Sequence, residues 1–112
     1  MLTHLGFHRC DVDQAIFFRR EGCAVIIVLG HVNDCTIAAT SIVLIADFKV
    51  QIAKHVQITD LDKLHWLLGI EIKCDCEGHT LHLSQRSYLD SILQCYGLED
   101  LKPVSIPMDT NI

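Results

Sequence analysis

A short polar run, residues 31–34, is the first part of the sequence whose residue types could do chemistry. It reads His-Val-Asn-Asp and separates an apolar, β-branched run at residues 23–29 from a second strand-like run at residues 35–39. Turn-forming residues between two such runs predict a β-hairpin with an acidic tip. Asp34 would place a carboxylate there, which divalent cations prefer, and the amide oxygen of Asn33 could coordinate without supplying charge. Asn33 has a second interpretation as a simple turn residue, since asparagine tolerates a left-handed backbone.

Four thiol and imidazole groups form a second candidate cluster, made of Cys74, Cys76, His79 and His82. They surround a predicted hairpin turn, and two sulfur and two nitrogen ligands could make a tetrahedral zinc site. The spacing argues against zinc, because Cys-x-Cys is shorter than the usual knuckle and alternate strand positions face opposite sides. The alternative is that all four are ordinary solvent-facing residues of a hairpin.

The elements that must position these clusters follow from hydrophobic periodicity and turn residues. They predict a strand at residues 14–19, a turn at 20–22 and the hairpin of residues 23–39, followed by a helix that is capped by Thr40 or Ser41 and carries Ile42, Ile45, Phe48, Ile52 and Val56. A second hairpin follows at residues 67–83, with a turn at Gly78 and with Ile70, Ile72 and Cys74 on one face. The last predicted element is a helix that is capped by Ser84, stops at Gly97 and carries Leu89, Ile92, Leu93 and Tyr96. Pro103 and Pro107 mark an extended tail. The sequence therefore predicts an α+β fold in which antiparallel β-hairpins pack against two helices.

Composition limits the classes of protein that the chain can belong to. The 112 residues carry a net charge of −5 and are 50% hydrophobic, which is enough for one core and argues against disorder. The acidic balance argues against a free-standing nucleic-acid binder, which needs a basic surface. The two longest uncharged runs, residues 22–33 and 35–46, are too short to span a membrane, and the N-terminus lacks the apolar core of a secretory signal.

These features predict an intracellular protein, cytoplasmic or nuclear, in a reducing compartment. The six cysteines are irregularly spaced, so free thiols are favoured over a disulfide framework. Cys23 is expected to be buried beside the Val/Ile run as a small hydrophobe.

Several blocks of residues carry a resemblance to a known family. They are, in chain order, residues 5–7 (Leu-Gly-Phe), 13–17 (Asp-Gln-Ala-Ile-Phe), 25–28 (Val-Ile-Ile-Val), 31–34 (His-Val-Asn-Asp), 59–61 (Thr-Asp-Leu), 67–72 (Leu-Leu-Gly-Ile-Glu-Ile), 83–85 (Leu-Ser-Gln), 88–89 (Tyr-Leu) and 103–108 (Pro-Val-Ser-Ile-Pro-Met). In this order and spacing they resemble the reverse transcriptase of copia-type LTR retrotransposons. The resemblance implies that residues 1–100 are the C-terminal part of a polymerase palm within a Pol polyprotein. It also implies that residues 101–112 are an extended tail leading toward a ribonuclease H connection.

The same resemblance implies a role for the polar run. His31, Val32, Asn33 and Asp34 stand where the family usually carries Tyr-Val-Asp-Asp, the aspartate pair that holds magnesium beside a third carboxylate. Asn33 replaces the first aspartate. The family places the third carboxylate upstream of residue 1, and Asp11 and Asp13 do not fill that role because Asp13 is expected on the strand before the motif.

One metal-binding carboxylate, Asp34, is therefore expected, with weak affinity for magnesium. We expect a catalytically inactive chain with no cofactor of its own. Nucleic acid is a partner of the intact family but not of this acidic segment alone.

A second family element falls at Leu68, Gly69, Ile70 and Glu71. The resemblance implies a hairpin that supports the primer terminus, whereas the residues alone indicate a hydrophobic hairpin packed on the palm. Trp66 could stack a base or pack within the protein.

Two classes of function remain open at this point, a non-catalytic palm remnant and a small interaction or scaffold domain. In either class the strand at residues 24–29 is expected to need cover on both faces, and an uncovered face would favour self-association.

Overall fold

The computed structural model describes residues 1–108 and divides the chain into two compact units, Met1–Leu61 and the part from Asp62 onward. Each unit contains an antiparallel sheet and one α-helix, which confirms the predicted α+β fold class. No helix in residues 1–108 is both long enough and apolar enough to cross a membrane.

The first unit is a four-stranded antiparallel sheet with one covering helix. After a short 3-10 helix at Leu2–Leu5 come β1 (His8–Arg9), β2 (Ile16–Glu21), β3 (Ala24–His31), β4 (Asp34–Ala39) and α1 (Ile42–Ala53), and the strands lie in the order β1-β2-β3-β4. The turn predicted at residues 20–22 begins later in the structure. Glu21 pairs with Ala24, so the turn is Gly22 and Cys23, with Gly22 at φ 61°. Cys23 is consequently exposed at this turn and not buried as expected.

The core of this unit lies between one face of the sheet and α1. Ile26 and Val28 alternate on β3 and are buried against Phe7 and Phe48, whose rings meet edge to face with centroids 5.3 Å apart. Of the two predicted caps, Thr40 and Ser41, it is the Ser41 side chain that caps α1, by accepting a hydrogen bond from the Val43 amide.

The helix itself is shorter than its apolar pattern suggested. α1 ends at Ala53, so Val56 lies beyond it. Ile42, predicted on the buried face, is instead exposed at the first turn.

The opposite face of the sheet is open within this unit. Strand register places His8, Phe18, Ile27 and Ala38 in one row across the four strands, which we call the outer row. The His8 and Phe18 rings lie 5.9 Å apart, and Phe18 and Ile27 remain 39% and 42% exposed. Residues 24–29 are predicted to need cover on both faces, and within this unit α1 covers one face only, so an uncovered face of the expected kind is present.

The second unit is a three-stranded antiparallel sheet followed by a helix. Its elements are β5 (Trp66–Leu67), β6 (Ile70–Asp75), β7 (Thr80–Ser84) and α2 (Arg86–Cys95). The first strand of the hairpin predicted at residues 67–83 is interrupted by a tight turn, in which Leu68 and Gly69 have φ of 53° and 79°. Ile72 is buried, whereas Cys74, predicted to share its environment, is exposed near the end of β6.

The last helix and the tail expose most of their apolar residues. The hydroxyl of Ser84 accepts a hydrogen bond from the Arg86 amide, although the residue that caps α2 is Gln85. Leu89 and Leu93 on α2 are exposed, as is Tyr96 at the C-cap, and Gly97 follows at φ 63°. Residues 101–108 contain no helix or strand; the last four residues of the predicted tail, 109–112, lie outside the described part of the chain.

Candidate functional site

The β3–β4 hairpin presents the His-Val-Asn-Asp run at a tight tip, as the sequence predicts. His31 and Asp34 are the last pair across the strands, which leaves a loop of two residues, Val32 and Asn33. All four residues are exposed. The buried residues lie nearer the middle of β3, so the core anchors the hairpin while its tip faces solvent.

The backbone of the tip is strained at Val32. This residue has φ 53° and is 91% exposed, and a positive φ is a real outlier for a β-branched side chain. Asn33, the residue expected to accept a left-handed backbone, does not have a positive φ. Asn33 is therefore a turn residue, as one of its two interpretations expects, but the left-handed backbone falls one residue earlier, at Val32.

The carboxylates near the tip do not converge. Asp34 lies opposite His31 on the face that carries the outer row, since paired residues share a face. Within residues 1–108 no group of three or more His, Cys, Asp or Glu side chains is placed to hold a metal ion.

Asp13 is not on a strand, contrary to expectation. It precedes β2, where its carboxylate accepts a hydrogen bond from the Ala15 amide at 2.9 Å. The Ala15 carbonyl in turn accepts from the Gly30 amide at 2.9 Å, which ties this turn to the tip end of β3. Asp13 therefore caps a turn beside the hairpin.

Cys35 follows Asp34 but is not prepared to act as a nucleophile. It pairs with Gly30 on the face opposite His31 and Asp34. Although the residue is exposed overall, desolvation of its thiol raises the pKa of Cys35, which disfavours the reactive thiolate.

The predicted primer-support residues form the turn between β5 and β6. Leu68 and Gly69 make the turn itself, and Leu68 is exposed with a positive φ. Ile70 and Glu71 begin β6, and the Glu71 carboxylate lies 3.3 Å from the Lys73 ammonium. Trp66 pairs with Glu71 and is half exposed, so its ring is not enclosed in the core of this unit.

The four candidate zinc ligands are not brought together. Cys74 and Cys76 place their sulfur atoms 3.7 Å apart, but His82 pairs with Lys73 and so lies on the other face of the sheet from Cys74. His79 lies in the turn at φ 50°. What the sequence pattern missed was the closeness of the two thiols, which depends on how the chain bends where β6 ends.

Comparison with known proteins identifies the family of the chain. The reverse transcriptase (RNA-dependent DNA polymerase) family matches residues 1–110. The chain is 32% identical over 110 residues to the retrovirus-related Pol polyprotein from transposon RE2 of Arabidopsis thaliana, which covers 98% of the chain. It is 31% identical over 97 residues to that from transposon TNT 1-94 of Nicotiana tabacum, covering 86% of the chain.

These relatives are much longer than the present chain, which spans 7% of the length of each. An uncharacterized mitochondrial protein of Arabidopsis thaliana is 35% identical over 81 residues, which make up 72% of the chain and 33% of that protein. No solved structure matches the chain significantly. The chain belongs to the reverse transcriptase family and corresponds to a part of a copia-type Pol polyprotein.

Proposed function

We propose that the chain forms the part of a copia-type palm that carries the aspartate-pair hairpin, and that with Asn33 this hairpin does not catalyse nucleotide transfer. One observation carries the proposal. The two-residue tip of β3 and β4 is held in a strained backbone at an exposed valine, between His31 and Asp34. A positive φ at a β-branched residue is strained, and strain of this kind collects at functional sites, where the surrounding structure holds it in place.

The residues at the tip do not fit the pair of magnesium ions that the intact family implies. Two-ion catalysis of an in-line displacement needs several carboxylates that converge on both metals. Asp34 offers one carboxylate and Asn33 a neutral oxygen, and within residues 1–108 no group of three or more His, Cys, Asp or Glu side chains is placed to hold a metal ion. Magnesium releases its waters reluctantly, so a lone carboxylate holds it weakly.

A graft into an active enzyme tests both halves of the proposal. Residues 24–39 of this chain would replace the equivalent hairpin of an active copia-type reverse transcriptase, once unchanged and once with Asn33→Asp. We expect the unchanged graft to give no primer extension and the Asn33→Asp graft to extend the primer. Both grafts must be shown to fold by circular dichroism.

The other outcomes are equally informative. Extension by both grafts would show that Asn33 does not abolish catalysis. Failure of both folded grafts would show that this hairpin cannot serve as the palm hairpin.

The outer row supports a second candidate function, a small non-catalytic interaction domain. Phe18 and Ile27 lie side by side on an uncovered sheet face, and adjacent exposed apolar side chains are a feature of protein contact surfaces. Under this alternative the Asn33→Asp graft remains inactive, whereas the isolated chain associates through the outer row.

A further inference from the structure

Two cysteines at the end of β6 are the one thiol pair recorded in contact among residues 1–108. The sulfur atoms of Cys74 and Cys76 lie 3.7 Å apart, and both residues are exposed and free. We propose that Cys74 and Cys76 form a dithiol modification site, which reacts with low-molecular-weight disulfides such as oxidised glutathione to give a reversible intramolecular disulfide bond.

The intervening residue holds the two cysteines in place. The Asp75 carboxylate accepts hydrogen bonds from the amides of Glu77 and Gly78, at 3.1 and 3.0 Å. Asp75 also pairs with Thr80 at the end of the sheet. The Cys-Asp-Cys segment is therefore fixed by a turn and by a strand pair, so little conformational entropy remains to be lost when the sulfurs approach.

The two sulfur atoms have only a short distance left to move before they can bond. A disulfide bond needs the sulfurs about 2.05 Å apart, and both side chains can rotate because neither is packed in the core. Exposed disulfides that close small, constrained loops are the labile ones that reductants reopen, which fits a reversible modification better than a structural cross-link.

The reaction balances as two thiol–disulfide exchanges. The first thiolate attacks one sulfur of the small disulfide, which breaks that bond, forms a mixed disulfide with the protein and releases one small thiolate. The second cysteine then attacks the protein sulfur of the mixed disulfide, forming the Cys74–Cys76 bond and releasing the other small thiolate. Two electrons pass from the protein to the small disulfide, and the two protein protons end on the two released thiols.

The contact between the two thiols also affects Cys74. Its side-chain hydrogen bond with Cys76 raises the pKa of Cys74, and desolvation adds to the effect. A raised pKa disfavours the thiolate of Cys74, which is the form that attacks a disulfide.

The test uses the full chain, reduced and then incubated with oxidised glutathione. Mass spectrometry of the unreduced digest is expected to show the peptide with residues 74 and 76 lighter by two hydrogens. Cys74 and Cys76 should both lose their reactivity toward an alkylating reagent, and reduction should recover it. Cys74→Ser should instead accumulate glutathione on Cys76, whereas the control Cys23→Ser, which removes another exposed thiol, should form the disulfide normally.

Two results would overturn the proposal. One is stable glutathione adducts on both cysteines of the unmodified chain with no internal bond. The other is a disulfide that joins either cysteine to a different one. Circular dichroism on each variant ensures that the folded chain is compared.

Variants of Asp75 test whether the turn preorganises the pair. Asp75→Ala removes the acceptor of both amide hydrogen bonds and should slow ring closure several-fold, which shows as a longer-lived mixed disulfide. Asp75→Asn keeps an oxygen acceptor and removes only the charge, so it should close the ring at nearly the original rate. Equal rates in Asp75→Ala and the unmodified chain would contradict the preorganisation by Asp75.

Discussion

His31 and Asp34 are the last residues to pair across β3 and β4, so Val32 and Asn33 alone make the tip of the hairpin. This pairing places a β-branched residue at φ 53° and sets Asp34 at the start of a strand beside a neutral amide. The strain and the loss of charge at the tip therefore arise from adjacent positions, and they can be altered separately.

Relief of the backbone strain is the first expected effect. Val32→Gly should raise the free energy of unfolding by about 1 kcal/mol, because glycine adopts a positive φ freely and Val32 contributes almost no burial. Asn33→Gly is the matched control and should lower the free energy of unfolding by several tenths of a kcal/mol, since its φ is not positive and glycine adds freedom to the unfolded chain. Urea titration measures both. A loss of stability in Val32→Gly would contradict the strained geometry.

The charge of the tip governs its response to metal ions. Asn33→Asp should lower the free energy of unfolding by a few tenths of a kcal/mol in chelator, because two exposed neighbouring carboxylates repel each other weakly. Manganese should reverse the loss and raise the melting temperature, since an ion that binds only the folded tip stabilises it. Thermal melts with and without manganese test this. Asn33→Ser, which adds no charge, is the control, and an equal response of the two variants would count against a metal-site ancestry.

The thiol of Cys35 gives the chain a pH dependence. Desolvation raises the pKa of Cys35, so the unfolded chain loses this proton at a lower pH than the folded chain. The contribution of Cys35 to stability is therefore complete below its ordinary pKa and is lost as the pH rises through the raised value. In a variant that keeps only Cys35, the midpoint of the alkylation rate should lie at higher pH in the folded chain than in urea. Coincident midpoints would contradict the partial burial of this thiol.

The outer row predicts self-association. Ile27→Lys should shift the chain toward a monomer, because it places a charge in the middle of the uncovered apolar face. Ile58→Lys is the matched control, since Ile58 is exposed to nearly the same extent but lies outside the sheet. Sedimentation over a wide range of protein concentrations compares the variants. A strictly monomeric unmodified chain would show that the open face does not mediate association.

Much of the fold follows from the sequence because its patterns are local. The hairpin of residues 23–39, a cap at Thr40 or Ser41 and the polar tip at residues 31–34 were all predictable from spacing and residue type. The split of the second predicted hairpin was not, because it depends on a left-handed backbone at Leu68, a residue type that rarely adopts one.

The candidate site was predictable in its residues but not in its geometry. Asn33 is the better residue for a positive φ, yet the pairing of His31 with Asp34 assigns that conformation to Val32. Cys74 and Cys76 were noticed as zinc ligands, whereas their contact is set by the Asp75 turn, which is a property of the folded hairpin. In both cases the pairing of strands in the folded protein determines the local geometry, which residue propensities alone do not specify.

The most direct test of the central claim is primer extension by the purified full chain and by Asn33→Asp, with magnesium or manganese and an intact copia-type reverse transcriptase as positive control. We predict no extended primer from either form, because even two carboxylates at the tip are fewer than the converging set that two-ion catalysis needs. Magnesium-dependent extension by the unmodified chain would contradict it.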